Sequence, residues 1–210
     1  MAMELIIPKA LQKGDTIAFV SPSARVNQIL PTPIERGKSY LEHLGYHVQI
    51  IFNTSETKTL RDSLLQRCEE IHEAFKDPDI KAIICTVGGS TANELLPHLD
   101  YVLIKSNPKI FCGYSDITLL HTAIFTQTGL QTFYGPNVIP EFGEVFQFTT
   151  EHFRHVLQGS PGKAVGPVPR SSHYAEKLPD FFFGNETSQV PRELSPSPTW
   201  TWLRSGAATG

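Results

Sequence analysis

KAIICTVGGST, residues 81–91, sets an unbroken apolar run directly before two glycines. A strand apolar on both faces is one covered on both faces, as the central strands of parallel sheets are. The arrangement recurs downstream, where KIFCG (109–113) runs into Tyr114, Ser115 and Asp116, and a stretch of helical period from Ile117 to about Gln127 stops at Gly129. Upstream, DTIAFV (15–20) ends in the turn Ser21, Pro22, Ser23, and a helix is predicted over 33–44 with Ile34, Tyr40, Leu41 and Leu44 on its apolar face. YHVQIIF (46–52) is the second strand. Residues 61–76 are the clearest helix, with Leu64, Leu65, Cys68, Ile71 and Phe75 at spacings of three and four. Residues 93–96 predict a short helix stopped by Pro97, and TFYGP (132–136) a last short strand. Strands alternating with helices over the first 135 or so residues predict an α/β fold built on a parallel sheet.

Composition narrows the partners. The 210-residue chain is 40% hydrophobic and 19% charged, which excludes a disordered chain, and 18 basic against 21 acidic residues give a net charge of -3. No positive field exists to hold a nucleic acid or an anionic membrane, so neither is an expected partner. The apolar run Leu5, Ile6, Ile7 breaks at Pro8, short of a signal-peptide core or a membrane span. Cys68, Cys85 and Cys112 cannot all pair and lack C-x-x-C spacing; they read as buried thiols in a reducing, cytoplasmic setting. No H-E-x-x-H, EF-hand or P-loop pattern appears, so the expectation is no metal and no cofactor. The loop SPSAR after the first strand has no glycine-rich phosphate cradle, which argues against a flavodoxin-like cofactor binder.

Ligands of open parallel sheets gather at the carboxyl ends of strands. Two such ends carry candidate chemistry. At Gly88 and Gly89, followed by Ser90, the absence of side chains lets backbone N–H groups face an oxygen anion, though a plain tight turn has the same sequence. At Gly113-Tyr114-Ser115-Asp116, a serine in a sharp strand-to-helix turn exposes its hydroxyl while the Asp116 backbone N–H points to where an oxyanion would form. Ile117 stands where the second glycine of G-x-S-x-G would be, and Ser115 equally fits a helix N-cap. Local sequence does not choose between the two. A serine nucleophile needs a base, and none of the eight histidines announces itself; His121, six residues into the following helix, projects away from the hydroxyl.

GDTIAFVSPSA, VGGSTANELLPHLDY and NPKIFCGYSDITLLHTAIFTQTG followed by TFYGP, in this order and spacing, resemble the LD-carboxypeptidase family of serine peptidases, peptidase family S66. The resemblance runs from about Pro8 to Pro136 and more faintly through PTWTWLRSGAATG. It implies a Rossmann-like (flavodoxin-like) N-terminal domain joined to a C-terminal domain, with a Ser-Glu-His triad shared between them. On that basis Ser115 is the expected nucleophile, Asp116 and Gly89 the backbone oxyanion donors, and Gly88 and Ser90 substrate-binding. The triad glutamate and histidine would follow Gly210, so the chain is expected to be C-terminally truncated and impaired as a catalyst. The expected organisation is an N-terminal nucleophile domain (1–157), a Pro/Gly/Ser-rich linker (158–184), and the start of an incomplete C-terminal domain (185–210), where Trp200, Trp202 and Leu203 would form an exposed apolar patch. The implied reaction is cleavage of an amide bond in a small peptide or an aminoacyl-nucleotide-like substrate, and a homodimer is compatible with the family. The alternative is a catalytically silent ligand-binding or interaction fragment.

Overall fold

The computed structural model describes residues 4–26, 29–53, 57–144, 147–159, 166–167, 169–185, 187–188, 190, 192–199, 201 and 206. Trp200, Trp202 and Leu203, like 160–165 and 168 of the expected linker, lie outside them. Five strands, β1 (Thr16–Val20), β2 (His47–Ile50), β3 (Ile80–Cys85), β4 (Ile110–Gly113) and β5 (Phe133–Tyr134), form one sheet in the order β2-β1-β3-β4-β5, every neighbouring pair parallel. This is the flavodoxin-like order. Helices α1 (Pro31–His43), α2 (Leu60–Lys76), α3 (Tyr101–Ser106), α4 (Ile117–Thr128) and α5 (Gln147–Leu157) cover it.

Alternation along the strands divides the core in two. Ile17, Phe19, Ala82, Ile84, Ile110 and Cys112 face α1, α5 and a π-helical turn at Val138–Phe142. Ala18, Val20, Ile83, Cys85 and Phe111 face α2, α3, α4 and a 3₁₀ helix at Ala92–His98. Burying each larger side chain contributes on the order of 2 kcal/mol. All three cysteines are buried and unpaired. The chain leaves β1 toward β2 on one side and returns to β3 on the other, so the loops after β1 and β3 diverge and leave a crevice between them. Registers Val20↔Cys85 and Ile84↔Cys112 bring the carboxyl ends of β1, β3 and β4 side by side.

Several local expectations change. The 3₁₀ helix runs through Pro97 to His98, because proline's fixed φ suits that geometry. Leu65 lies 44% exposed, while Arg67 and Glu70 are buried on α2 beside Cys68 and Ile71. Helix α3 has no counterpart in the sequence reading; Asp100 caps it by accepting from Leu103 N at 2.9 Å, a signal masked by its six-residue length. Farther on, β6 (His173–Tyr174) pairs antiparallel with β7 (Ser195–Pro196). That segment is fastened to the sheet domain by Phe181, buried in the first core, and by Arg192, whose guanidinium meets both oxygens of Glu144 at 2.7 and 2.5 Å. Among the described residues no helix is long and apolar enough to cross a membrane.

Candidate active site

Strand β4 ends at Gly113, where a Cβ would lie 2.9 Å from Asn137 Oδ1 and 3.0 Å from Cys85 Cβ; the chain turns there because no side chain obstructs it. Two residues on, Ser115 has φ 67°, the sole positive φ of any non-glycine among the described residues. A left-handed conformation costs a residue with a Cβ about 1–2 kcal/mol, so the turn must be held in place by its surroundings. Thr118 does part of this, donating from its backbone N (3.0 Å) and its hydroxyl (2.5 Å) to the Ser115 carbonyl. The residue is exposed, and its own hydroxyl has no hydrogen-bond partner among the described residues. Asp116, not Ser115, occupies the N-cap position of α4. The strained elbow, rather than a capping serine, is the geometry present.

The glycine pair lies against this elbow. A Cβ on Gly88 would fall 2.6 Å from Ser115 Cβ and 2.9 Å from its Oγ, so only glycine lets the β3 loop approach the serine so closely. Gly89 backs onto the β1 loop instead, where a Cβ would overlap Ser23 Oγ and lie 2.7 Å from Ala24 N. Ala24 N donates to Gly88 O at 3.2 Å. Ser90 is exposed beside them. Ser115, Asp116, Gly88 and Gly89 therefore meet at one place, with Ser90 at its edge.

Behind the site lies polar scaffolding that the sequence did not reveal. The Asp116 carboxylate accepts through Oδ2 from Ser23 Oγ (2.5 Å), Thr91 N (3.1 Å) and Ala92 N (3.2 Å). Arg67, 4% exposed, donates to Pro22 O (3.1 Å) and Thr91 Oγ1 (2.9 Å) and pairs with Glu94 at 3.0 Å. Arg25 forms a two-pronged pair with buried Glu70 at 2.7 and 2.9 Å, and Glu70 also accepts from Asn53 N. These residues tie the loops after β1 and β3 to α2. Buried arginines at helical spacing read as outer-face residues in a sequence; Ser23, at the carboxyl end of β1, could have been found by the strand-end rule.

On the other side of the elbow, Tyr114 donates its hydroxyl to Glu141 Oε1 at 3.0 Å, and Asn137 N donates to Oε2 at 2.9 Å. Burial raises the Glu141 carboxyl above its ordinary range, partly offset by these two hydrogen bonds. Burial and the neighbouring Glu141 carboxylate push the Tyr114 phenol up. His121 sits below, its Nε2 2.9 Å from Gly113 O; a carbonyl only accepts, so Nε2 carries the proton. Burial lowers the His121 pKa, and its Nδ1 is a buried acceptor with no partner among the described residues. Engaged with Gly113, His121 is not the base for Ser115. Among the described residues no histidine or carboxylate hydrogen-bonds the Ser115 hydroxyl.

The chain is similar to several known proteins. A family model described as the LD-carboxypeptidase N-terminal domain, peptidase S66, matches residues 17–135. A Vibrio cholerae protein that bears a carboxypeptidase name is 39% identical over 211 residues, covering 98% of this chain and 61% of that protein. The murein tetrapeptide carboxypeptidase of Pseudomonas aeruginosa is 34% identical over 126 residues, 57% of this chain and 38% of the relative. The microcin C7 self-immunity protein MccF of Escherichia coli is 40% identical over 156 residues, 72% of this chain and 45% of MccF. A solved structure of MccF in complex with aspartyl sulfamoyl adenosine superposes with a TM-score of 0.79 at 32% identity, over 91% of this chain and 57% of that one. The chain thus spans 38–61% of the length of these relatives.

Proposed function

Since the chain belongs to the LD-carboxypeptidase family, peptidase S66, we propose that it carries the nucleophile of a serine carboxypeptidase-type hydrolase and that the nucleophile is Ser115. The observation that carries this reading is the Ser115 backbone: a non-glycine residue held at φ 67° and exposed at the end of a central strand, with Gly88 packed against it. Strain kept at one exposed hydroxyl is a cost that folding alone does not require.

In the proposed reaction, Ser115 Oγ forms a bond to an amide carbonyl carbon while its proton passes to a general base. The backbone N–H groups of Asp116 and of the Gly88–Gly89 loop hold the oxyanion; each such donor is worth about 10²–10³ in rate. The C–N bond then breaks, the amine leaves with the proton, and water hydrolyses the serine ester. The substrate class is a small peptide ending in a D-amino acid or an aminoacyl-nucleotide-like amide, consistent with the relatives named above, in a cytoplasmic setting.

The test uses protein expressed from its whole coding sequence. A fluorophosphonate should label it, with the adduct mapping to Ser115 by mass spectrometry, and Ser115→Ala should lose both the label and hydrolysis of peptides ending in D-alanine. A label on another serine, or hydrolysis retained in Ser115→Ala, overturns the assignment.

A further inference from the structure

We propose that the Asp116 side chain is a positioning residue that holds the two halves of the oxyanion site to one another, a role separate from its backbone N–H. The inference rests on Ser115 being the nucleophile. One carboxylate oxygen, Asp116 Oδ2, gathers three donors from two loops: Ser23 Oγ from the loop after β1, and Thr91 N and Ala92 N from the loop that begins with Gly88 and Gly89. The main chain of the same residue closes the elbow that presents Ser115. A displacement of the glycine loop relative to the elbow therefore has to stretch hydrogen bonds to an ionised acceptor, roughly twice as strong as neutral ones. Ser23 is wedged into the same joint, with its Oγ against Gly89 and 3.4 Å from Thr91 N. Helix capping alone does not account for the arrangement. Thr91 N and Ala92 N open the 3₁₀ helix, but Ser23 lies 93 residues from Asp116 and belongs to no helix. The other oxygen, Oδ1, is buried beside Gly88 without a partner among the described residues, so the carboxylate is placed for the joint at the expense of its own solvation.

The consequence is kinetic. Misplacing reacting groups by about 1 Å costs on the order of 10²-fold in rate without necessarily weakening encounter. The measurement is the saturation kinetics of fluorophosphonate labelling, in which the Ser115 Oγ–P bond forms, the P–F bond breaks, fluoride leaves, and the hydroxyl proton passes to the base. Asp116→Ala should lower the maximal labelling rate about 10²-fold and leave the half-saturating concentration within about two-fold. Asp116→Asn, which retains an acceptor of the same shape without the charge, should recover about ten-fold of that loss. Ser23→Ala should slow labelling several-fold in the wild-type background and add nothing on top of Asp116→Ala. A purely structural role predicts instead that rate and half-saturation shift together with the folded fraction, and that Asn does no better than Ala. Either result, or wild-type rates in both Asp116 variants, overturns the proposal. If Asp116→Ala fails to fold, Ser23→Ala decides: slowed labelling at unchanged half-saturation supports the joint, and an unchanged rate refutes it. Wild-type protein labelled at a serine other than Ser115 refutes the nucleophile reading, and this inference with it.

Discussion

Gly88→Ala probes the closest approach in the site. The added Cβ would lie 2.6 Å from Ser115 Cβ, 2.9 Å from Oγ and 3.3 Å from Asp116 Oδ1. Carbon atoms pack at about 3.5–4.0 Å, so the elbow and the β3 loop must separate by roughly 1 Å. The obstructing atom is a Cβ fixed to a backbone already at φ 67°, not the end of a flexible side chain, and the Asp116 hydrogen bonds resist the separation. Overpacking of this kind costs about 1–3 kcal/mol of stability. On the proposed reading of Ser115 as nucleophile, displacement of its Oγ by the same distance should slow fluorophosphonate labelling on the order of 10²-fold. Urea denaturation gives the first quantity and labelling kinetics the second. Gly14→Ala is the matched control: Gly14 has φ 89° and open space around its Cβ position, so alanine there should cost about 1–2 kcal/mol of backbone strain and leave labelling unchanged. Gly88→Ala with a wild-type labelling rate would refute the claim that this glycine sets the position of Ser115.

Ser115→Gly should abolish labelling yet raise stability by about 1 kcal/mol, since glycine adopts φ 67° freely; a lower urea midpoint would show that the elbow is not strained. Lys109 tests the opposite end of β4, where its Nζ caps α2 by donating to Ala74 O and Asp77 O. Burial brings its pKa down to about 8 from 10.5. Between these values the unfolded chain binds more protons than the folded one, so this group makes stability rise with pH from about 8 to 10.5. Lys109→Met should remove that rise, read as the difference between the urea midpoints of wild type and variant from pH 7 to 10; parallel profiles would contradict the shift.

How far the sequence discloses such a site depends on the range of the interactions that build it. The strands KAIICTV and KIFCG were legible because burial on both faces leaves a local apolar signature, and their ends pointed to Gly88 and Ser115 directly. Periodicity misplaces Leu65 for the converse reason: α2 spends part of its inward face on Arg67 and Glu70, polar residues whose partners Pro22, Thr91 and Arg25 lie tens of residues away. For Asp116 the sequence indicates the backbone N–H alone, since nothing adjacent to GYSD shows that its carboxylate reaches the loops after β1 and β3. The π-helical turn at Val138–Phe142 left no periodic trace either. It is held by the Asn137 and Tyr114 hydrogen bonds to Glu141 and by Ile139 N donating to Thr86 O at 2.9 Å.

The contact between Ser23 and Asp116 closes a loop of 93 residues that contains β2, α2 and β3. Loop closure on that scale is entropically unfavourable until the intervening strands have paired, so the joint is expected to form late in folding. A chain still emerging from the ribosome, or partly unfolded under stress, can therefore hold the Ser115 segment without the joint that sets its geometry. On the proposed reading of Ser115, its hydroxyl gains the arrangement for attack only once the sheet is complete.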